Sequence, residues 1–171
     1  MHRPLNAVTG FPPGTVTGTT DAGDMTAATA EGDLTTAYNN AQGLTLCPNV
    51  VSGDLGALIL TPGLYKSTSS LAITGTLTLD AQGNANAMFI FQMASTLTTA
   101  SSSQIILANG AQSSNIFWAV GSSATLGTSS QFKGTIMAYS SITITTGAEL
   151  DGRALAQVAA VTMDTNTIKP S

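Results

Sequence analysis

Charge is what this sequence has least of. Of its 171 residues, 8% are Asp, Glu, Lys or Arg, against about 25% in an ordinary globular domain. The five basic residues, Arg3, Lys66, Lys133, Arg153 and Lys169, form no run. With a net charge of −4 and a pI ≈ 4.5, the chain offers no phosphate-neutralising patch, which excludes a nucleic-acid partner. The single cysteine, Cys47, excludes an internal disulfide and a multi-cysteine metal site. The single histidine, His2, sits at the terminus and cannot complete a catalytic triad. No apolar stretch approaches the ~20 residues of a membrane span, so no membrane insertion is expected. The opening "MHRPLNAVTG" has a basic start but no apolar h-region, so it does not read as a signal peptide. No P-loop, GxSxG elbow or metal-ligand spacing occurs, and no cofactor is expected.

What is abundant is threonine. There are 27 threonines, so hydroxyls rather than charges keep the surface wet. A hydrophobic fraction of 43% can fill one core, and the length is that of a single domain, residues 1–171. Residues 1–20 read as loop and turn, because "GFPPGTVTGTT" cannot be helical. Residues 22–42 read as the only helix. Asp21 or Asp24 can cap its start and Gly43 can stop it. Ala27, Ala30, Leu34, Ala37, Tyr38 and Ala41 recur at three- and four-residue steps and make a stripe of mostly small side chains.

From about residue 50 to 168 the period becomes two. Three kinds of short strand recur in a fixed order. The first is apolar on both faces, as in Met88-Phe89-Ile90-Phe91, Asn115-Ile116-Phe117-Trp118, Thr135-Ile136-Met137-Ala138 and Arg153-Ala154-Leu155-Ala156. The second places an apolar residue among threonines, as in Thr96-Leu97-Thr98-Thr99, Ala124-Thr125-Leu126-Gly127, Ile142-Thr143-Ile144-Thr145 and Val161-Thr162-Met163-Asp164. The third alternates apolar with larger polar residues: Gln104-Ile105, Gln131-Phe132-Lys133 and Glu149-Leu150-Asp151. This three-beat cycle is how a right-handed, three-sided β-helix is written. An earlier cycle is longer, so "LANGAQSS" (107–114) should bulge as a loop. The doubly apolar face needs a cover, and the helix is the one available. A helix of ~21 residues is ~31 Å long, and five or six coils at ~4.8 Å give ~24–29 Å. The helix should therefore lie along the stack.

In the threonine strands Leu97, Leu126, Ile144 and Met163 should point inward, which sends their neighbours outward. Stacked as two ranks, the outward set is Ser70, Ala72 and Thr74, then Thr96 and Thr98, Thr125 and Gly127, Thr143 and Thr145, Thr162 and Asp164. Threonine suits strands and stacks well on itself, so such a set can be a plain soluble surface. The sharper reading is a flat, nearly uncharged lattice of hydroxyls and methyls that orders water as ice does. Lys133, Glu149 and Asp151 are kept to another face, and Asp164 is the one charge expected here.

The phrases "LTPGLYKSTSSLAITGTLTLDAQGNANAMFIFQMASTLTTA", "NGAQSSNIFWAVGSSATLGTSSQFKGTIMAYSSITITTGAELDGRALAQ" and "AVTMDTNTI" resemble the widespread microbial ice-binding proteins. The likeness runs from about residue 7 to 168. "LTPGLYK", "NIFWAVG" and "GRALAQ" are its most specific parts. It implies an irregular β-helix flanked by one long α-helix. It also implies that one flat face binds ice and inhibits ice growth and recrystallisation. That family has no regular ice-binding consensus. The choice of Ser70, Thr74, Thr96, Thr98, Thr125, Gly127, Thr143, Thr145 and Thr162 as ice-facing residues therefore rests on the surface argument. The resemblance implies a secreted or cell-surface location and a place in a larger cell-surface assembly. It further implies a preceding stretch that supplies strands, and a secretion signal, neither of which is expected in this chain. Without the added strands, β edges would stand unpaired. The resemblance implies that some relatives pair a cysteine near position 47 with one in the "GAQ" phrase. Ser113 and Ser114 stand there here, so Cys47 should be an unpaired, partly buried thiol.

Two readings of other classes compete. One is an adhesive or structural surface module on the same scaffold. The other is a β-helical carbohydrate enzyme. Glu149, Asp151 and Arg153, with Lys133 one coil away, are its best candidate acid–base cluster. An ion-pair patch on the polar face explains those residues as well. Phe117 and Trp118 resemble a sugar platform in isolation, but they belong to the apolar face and read as core.

Overall fold

The computed structural model describes residues 8–11 and 13–171. His2, Arg3 and Pro12, assigned above to the terminal loop, lie outside the described residues. Up to residue 24 the described chain is turn and bend, exposed throughout. Helix α1 (Met25–Gly43) follows. Asp24 rather than Asp21 caps it, its Oδ1 accepting from the Ala27 N–H at 2.8 Å. The helix begins later than residue 22 because this capping bond fixes its first turn. Leu44 leaves in extended geometry, so Gly43 ends the helix without a left-handed cap.

The rest of the chain winds into six coils of three strands each. The first coil holds β1 (Asn49–Val50), β2 (Gly53–Asp54) and β3 (Ile59–Leu60). The second holds β4 (Gly63–Ser67), β5 (Leu71–Ile73) and β6 (Thr76–Asp80). The third holds β7 (Phe89–Met93), β8 (Leu97–Thr99) and β9 (Gln104–Ala108). In the fourth are β10 (Ile116–Val120), β11 (Ala124–Leu126) and β12 (Gln131–Lys133). The fifth has β13 (Thr135–Ala138), β14 (Ile142–Ile144) and β15 (Glu149–Asp151). The last has β16 (Ala154–Ala156), β17 (Val161–Met163) and β18 (Thr167–Lys169). Every third strand pairs in parallel, which makes three six-stranded sheets. The first sheet starts at β1 and faces the helix. The second, starting at β2, carries the threonine strands. The third, starting at β3, carries the larger polar residues. The fold is an irregular three-sided β-helix with one flanking helix.

The irregularity is a matter of coil length. Gly63 pairs with Phe89, and Phe89 with Ile116, so the second and third coils take 26 and 27 residues. Phe117 pairs with Thr135, and Ile136 with Ala154, so the next two take 18. The extra residues bulge between the third and first sheets. The bulge expected at 107–114 starts later, because Leu107 and Ala108 belong to β9. It also stacks on a matching bulge one coil earlier that the sequence reading missed. Gly83 N–H donates to the Asn109 carbonyl at 2.9 Å, Asn109 Nδ2 to Asp80 Oδ1 at 2.8 Å, and Asn115 Nδ2 to the Ala85 carbonyl at 3.1 Å.

Inward side chains of all three sheets fill one narrow core. Its centre is an aromatic column set by the strand register, Tyr65 on Phe91 on Trp118. Ring centroids lie 5.1 and 3.9 Å apart. The buried Trp118 Nε1–H donates to the Lys133 carbonyl at 3.0 Å, so the indole is satisfied as a buried polar group must be. On the outer side of the first sheet Gln92, Ala119 and Met137 are buried. Here α1 is fastened by polar bonds rather than by its alanine stripe. Gln92 Nε2 donates to the Ala41 and Leu44 carbonyls at 2.6 and 2.9 Å. Gln42 Nε2 donates to the Ala119 carbonyl at 3.0 Å, and the Tyr38 hydroxyl to the Val120 carbonyl at 3.3 Å. Of the stripe, Leu34 is buried, Ala27, Tyr38 and Ala41 are half-buried, and Ala30 and Ala37 are exposed. The two exposed alanines line an open groove of ≈ 580 Å³ between the first half of α1 and the last coil.

Met163 points inward as expected, in register with buried Ile144, yet it is 45% exposed, because β17 is the edge strand of its sheet among the described residues. Cys47, expected to be partly buried, is exposed. Gln92→Leu removes the donor to two carbonyls at the helix end, and should cost about 1–3 kcal/mol of stability in chemical denaturation. Phe91→Ala empties the middle of the aromatic column and should cost about 3–5 kcal/mol in the same assay.

Candidate functional site

Strand register decides what the second sheet presents. Leu97 pairs with Ala124, not with Leu126, and Ala124 pairs with Ile142. The outward residues therefore fall into three files rather than the two expected. The central file runs Asp54, Ala72, Thr98, Thr125, Thr143, Thr162. Two residues earlier on each strand is a file containing Ser70, Thr96, Ser123 and Ser141. Two residues later is one containing Thr74, Ala100, Gly127, Thr145 and Asp164. Of the nine residues singled out from the sequence, five lie in the central file or its first neighbour away from the edge strands: Ser70, Thr96, Thr98, Thr125 and Thr143. Thr162 lies on the edge strand. Ser70, Thr74, Thr98 and Thr162 are exposed, and Thr96, Thr125, Thr143 and Thr145 are half-buried.

Gly127 has a different reason to be there. A Cβ at this position would lie 2.5 Å from the Thr99 carbonyl oxygen, so only glycine lets the coils approach. Its N–H donates to the buried Thr99 Oγ1 at 2.8 Å. Gly127 therefore spaces the coils, and its Cβ direction meets protein rather than solvent. Two residues missed from the sequence take its place on the surface, Ser123 and Ser141. The signal was present, since each lies two residues before a central threonine, in "SSATLG" and "SSITIT". Asp54 was missed too, because a two-residue strand shows no alternation. The sheet thus carries a carboxylate at each end instead of Asp164 alone.

The hydroxyls are coupled along the files. Thr96 Oγ1 donates to Ser70 Oγ at 2.9 Å, Ser141 Oγ to Ser123 Oγ at 3.1 Å, and Thr162 Oγ1 to Thr143 Oγ1 at 3.3 Å. Thr145 Oγ1 donates to the Leu126 carbonyl at 2.7 Å, so this hydroxyl is turned toward the preceding coil. The hydroxyls of Thr98 and Thr125 make no hydrogen bond among the described residues, so they are free for solvent. Neighbours in a file are ~4.8 Å apart and files are ~6.6 Å apart. The result is a rigid array of small groups, each hydroxyl able to donate and accept.

Neither other face offers this. The first sheet is covered by α1 over β7, β10 and β13. The third sheet mixes sizes and signs: Gln104 and Ile106, Gln131 and Lys133, Glu149 and Asp151, Thr167 and Lys169. Lys133 Nζ pairs with Asp151 Oδ2 at 3.3 Å on a half-open surface. Glu149 and Asp151 share that outer side, whereas Arg153 lies past the Gly152 corner. Among the described residues no group of three or more His, Cys, Asp or Glu could hold a metal ion, and no helix is long and apolar enough to cross a membrane.

Three surface carboxylates, two exposed and Asp80 half-buried, are held below the ordinary range. Partial burial pushes Asp54 up, but the Gly56 and Thr74 amides outweigh it and the net shift is downward. Asp80 is lowered first by the Gln82 N–H and then by Asn109. The Thr146 hydroxyl, then that of Thr165, lowers Asp164.

Comparison with known proteins adds a second kind of finding. Residues 2–169 match a protein family described as Ice-binding-like. The chain is 53% identical to an ice-binding protein of Nostoc sp. (strain HG1), over 95% of this chain and 61% of that protein. It is 42% identical to an ice-binding protein of Flavobacterium frigoris (strain PS1), over 87% and 53% respectively. The chain thus spans about half to three fifths of these two relatives. Among solved structures, it superposes on the ice-binding protein of the Antarctic ascomycete Antarctomyces psychrotrophicus with a TM-score of 0.94 at 42% identity. That match covers 98% of this chain and 82% of the other.

The lowered carboxylates fix the acid behaviour. Their folded values lie below the ordinary 3.8, so their stabilisation is complete above that pH and lost as pH falls through the folded values. Thermal melts should hold level from neutral pH down to the ordinary carboxylate range and then fall steadily below it. The Asp54→Asn variant should fall less.

Proposed function

This chain belongs to the Ice-binding-like family, and on that premise we propose that it adsorbs to ice through the second sheet and so inhibits ice growth and recrystallisation. The observation that carries the reading is the in-register file Thr98, Thr125, Thr143, Thr162 on an open, mostly uncharged sheet. Each contact with a water layer is weak. The array succeeds by number and by rigidity. Its side chains are β-branched and stiff at χ1, and the coil ladders fix their spacing before ice is met. Little freedom is then lost on adsorption, which is what preorganisation contributes to binding. The methyl groups shed disordered water, and the hydroxyls hold the remaining molecules at positions set by the strands. Ice pinned at many such points can advance only by bulging between adsorbed molecules, and a curved front is less stable than a flat one.

This mechanism makes and breaks no covalent bond and uses no cofactor. The charged residues of the third sheet have a sufficient role as an ion-pair patch. Ice forms outside cells before it forms within them, so the reading fits a secreted or cell-surface protein.

The test is thermal hysteresis and recrystallisation inhibition on the purified chain. Thr143→Lys or Thr125→Lys places a long, hydrated cation in the central file and should abolish both activities with the fold intact by circular dichroism. Glu149→Gln with Asp151→Asn, on the third sheet, should leave both unchanged. Full activity in the lysine variants would remove the second sheet from consideration.

A further inference from the structure

We propose that Asp54 and Asp164 bound the ice-adsorbing area, so that its working part is the four rungs between them rather than the whole six-stranded sheet. This rests on the reading that the second sheet adsorbs to ice. Asp54 pairs with Ala72 and so opens the central file. Asp164 lies two residues beyond Thr162, at the opposite end of the neighbouring file. The two carboxylates stand at opposite ends of one surface, Asp54 in the central file and Asp164 in the file beside it.

Both are fastened there. Asp54 Oδ1 accepts from the Gly56 and Thr74 N–H groups, each at 2.8 Å. Asp164 Oδ1 accepts from the Thr165 hydroxyl at 2.8 Å, and its Oδ2 accepts from the Thr146 hydroxyl. A carboxylate held this way cannot swing off the face. An ionised carboxylate is acceptor-only, whereas a threonine hydroxyl both donates and accepts. Water beside Asp54 or Asp164 must turn its hydrogens toward the protein. Water over Thr98, Thr125 and Thr143 is free to point either way, as a molecule joining a crystal of water must. The charge also recruits the Thr146 and Thr165 hydroxyls as donors toward itself, so the disturbance reaches beyond the aspartate. Between these two ends the three files hold only Ser, Thr, Ala and Gly from the second coil to the fifth.

The experiment compares thermal hysteresis, at equal molar concentration, of the unaltered chain, Asp54→Asn, Asp164→Asn, the double variant and Thr143→Lys. Asparagine at 54 keeps the Oδ1 that takes both backbone bonds and removes the charge. Each asparagine variant should widen the gap between melting and freezing, and the double variant should widen it most. An unchanged or narrower gap in folded asparagine variants overturns the proposal. Should Asp54→Asn fail to fold, Asp164→Asn decides the matter, since it lies on the edge coil of the described residues. If the unaltered chain shows no gap, the adsorption reading falls and this proposal with it. If the unaltered chain is active, Thr143→Lys is inactive and the asparagine variants match the unaltered chain, only the boundary proposal fails.

Discussion

Everything in this molecule depends on parallel coil-on-coil register. Each strand takes its hydrogen bonds from the strands one coil before and after, so a side chain's neighbours are set by winding length rather than by local sequence. Where the winding is 18 residues, like falls on like: Thr125 on Thr143, Ala124 and Leu126 on Ile142 and Ile144. The same rule builds the interior, where Tyr65, Phe91 and Trp118 stack because their strands are paired. A slip of one residue would turn every inward leucine outward. The narrow core therefore enforces the surface spacing, and the order of the threonine face is a by-product of burying the apolar residues opposite it.

Length variation is confined to places where it does not disturb that register. The long second and third coils place their extra residues between the third and first sheets, away from the threonine strands. The two bulges bond to each other through Asp80, Asn109 and Asn115. Glycine serves the same end at Gly127, where any Cβ would strike the preceding coil. The helix is held along the first sheet chiefly by amide side chains that reach backbone carbonyls. Gln92 satisfies the helix end from below, and Gln42 and Tyr38 bond downward to the sheet.

Much of this was legible in the sequence, and the gaps have physical causes. Strand type and order were legible because apolar alternation has a period of two and the three faces differ in what covers them. The helix span was legible to within a turn from Asp24 and Gly43. Register was not. The phrases around Leu97 and Leu126 look alike, but the extra residues between them move the pairing to Ala124. The three-file surface, Ser123 and Ser141 followed from that shift. Asp54 was invisible because its strand is two residues long, and its place on the face comes wholly from pairing with Ala72. Gln92 read as one polar residue in an apolar strand. Its role exists only once α1 is laid across it.

The central claim is that one sheet, and not the others, meets ice. Partition of the protein into a slowly growing ice front tests this most directly. A lysine placed at Thr98 on the second sheet is compared with one placed at Gln131 on the third. The account predicts that the Thr98→Lys protein stays in the liquid, while the Gln131→Lys protein enters the ice as the unaltered chain does. Equal incorporation of both, or exclusion of the Gln131→Lys protein alone, would contradict it.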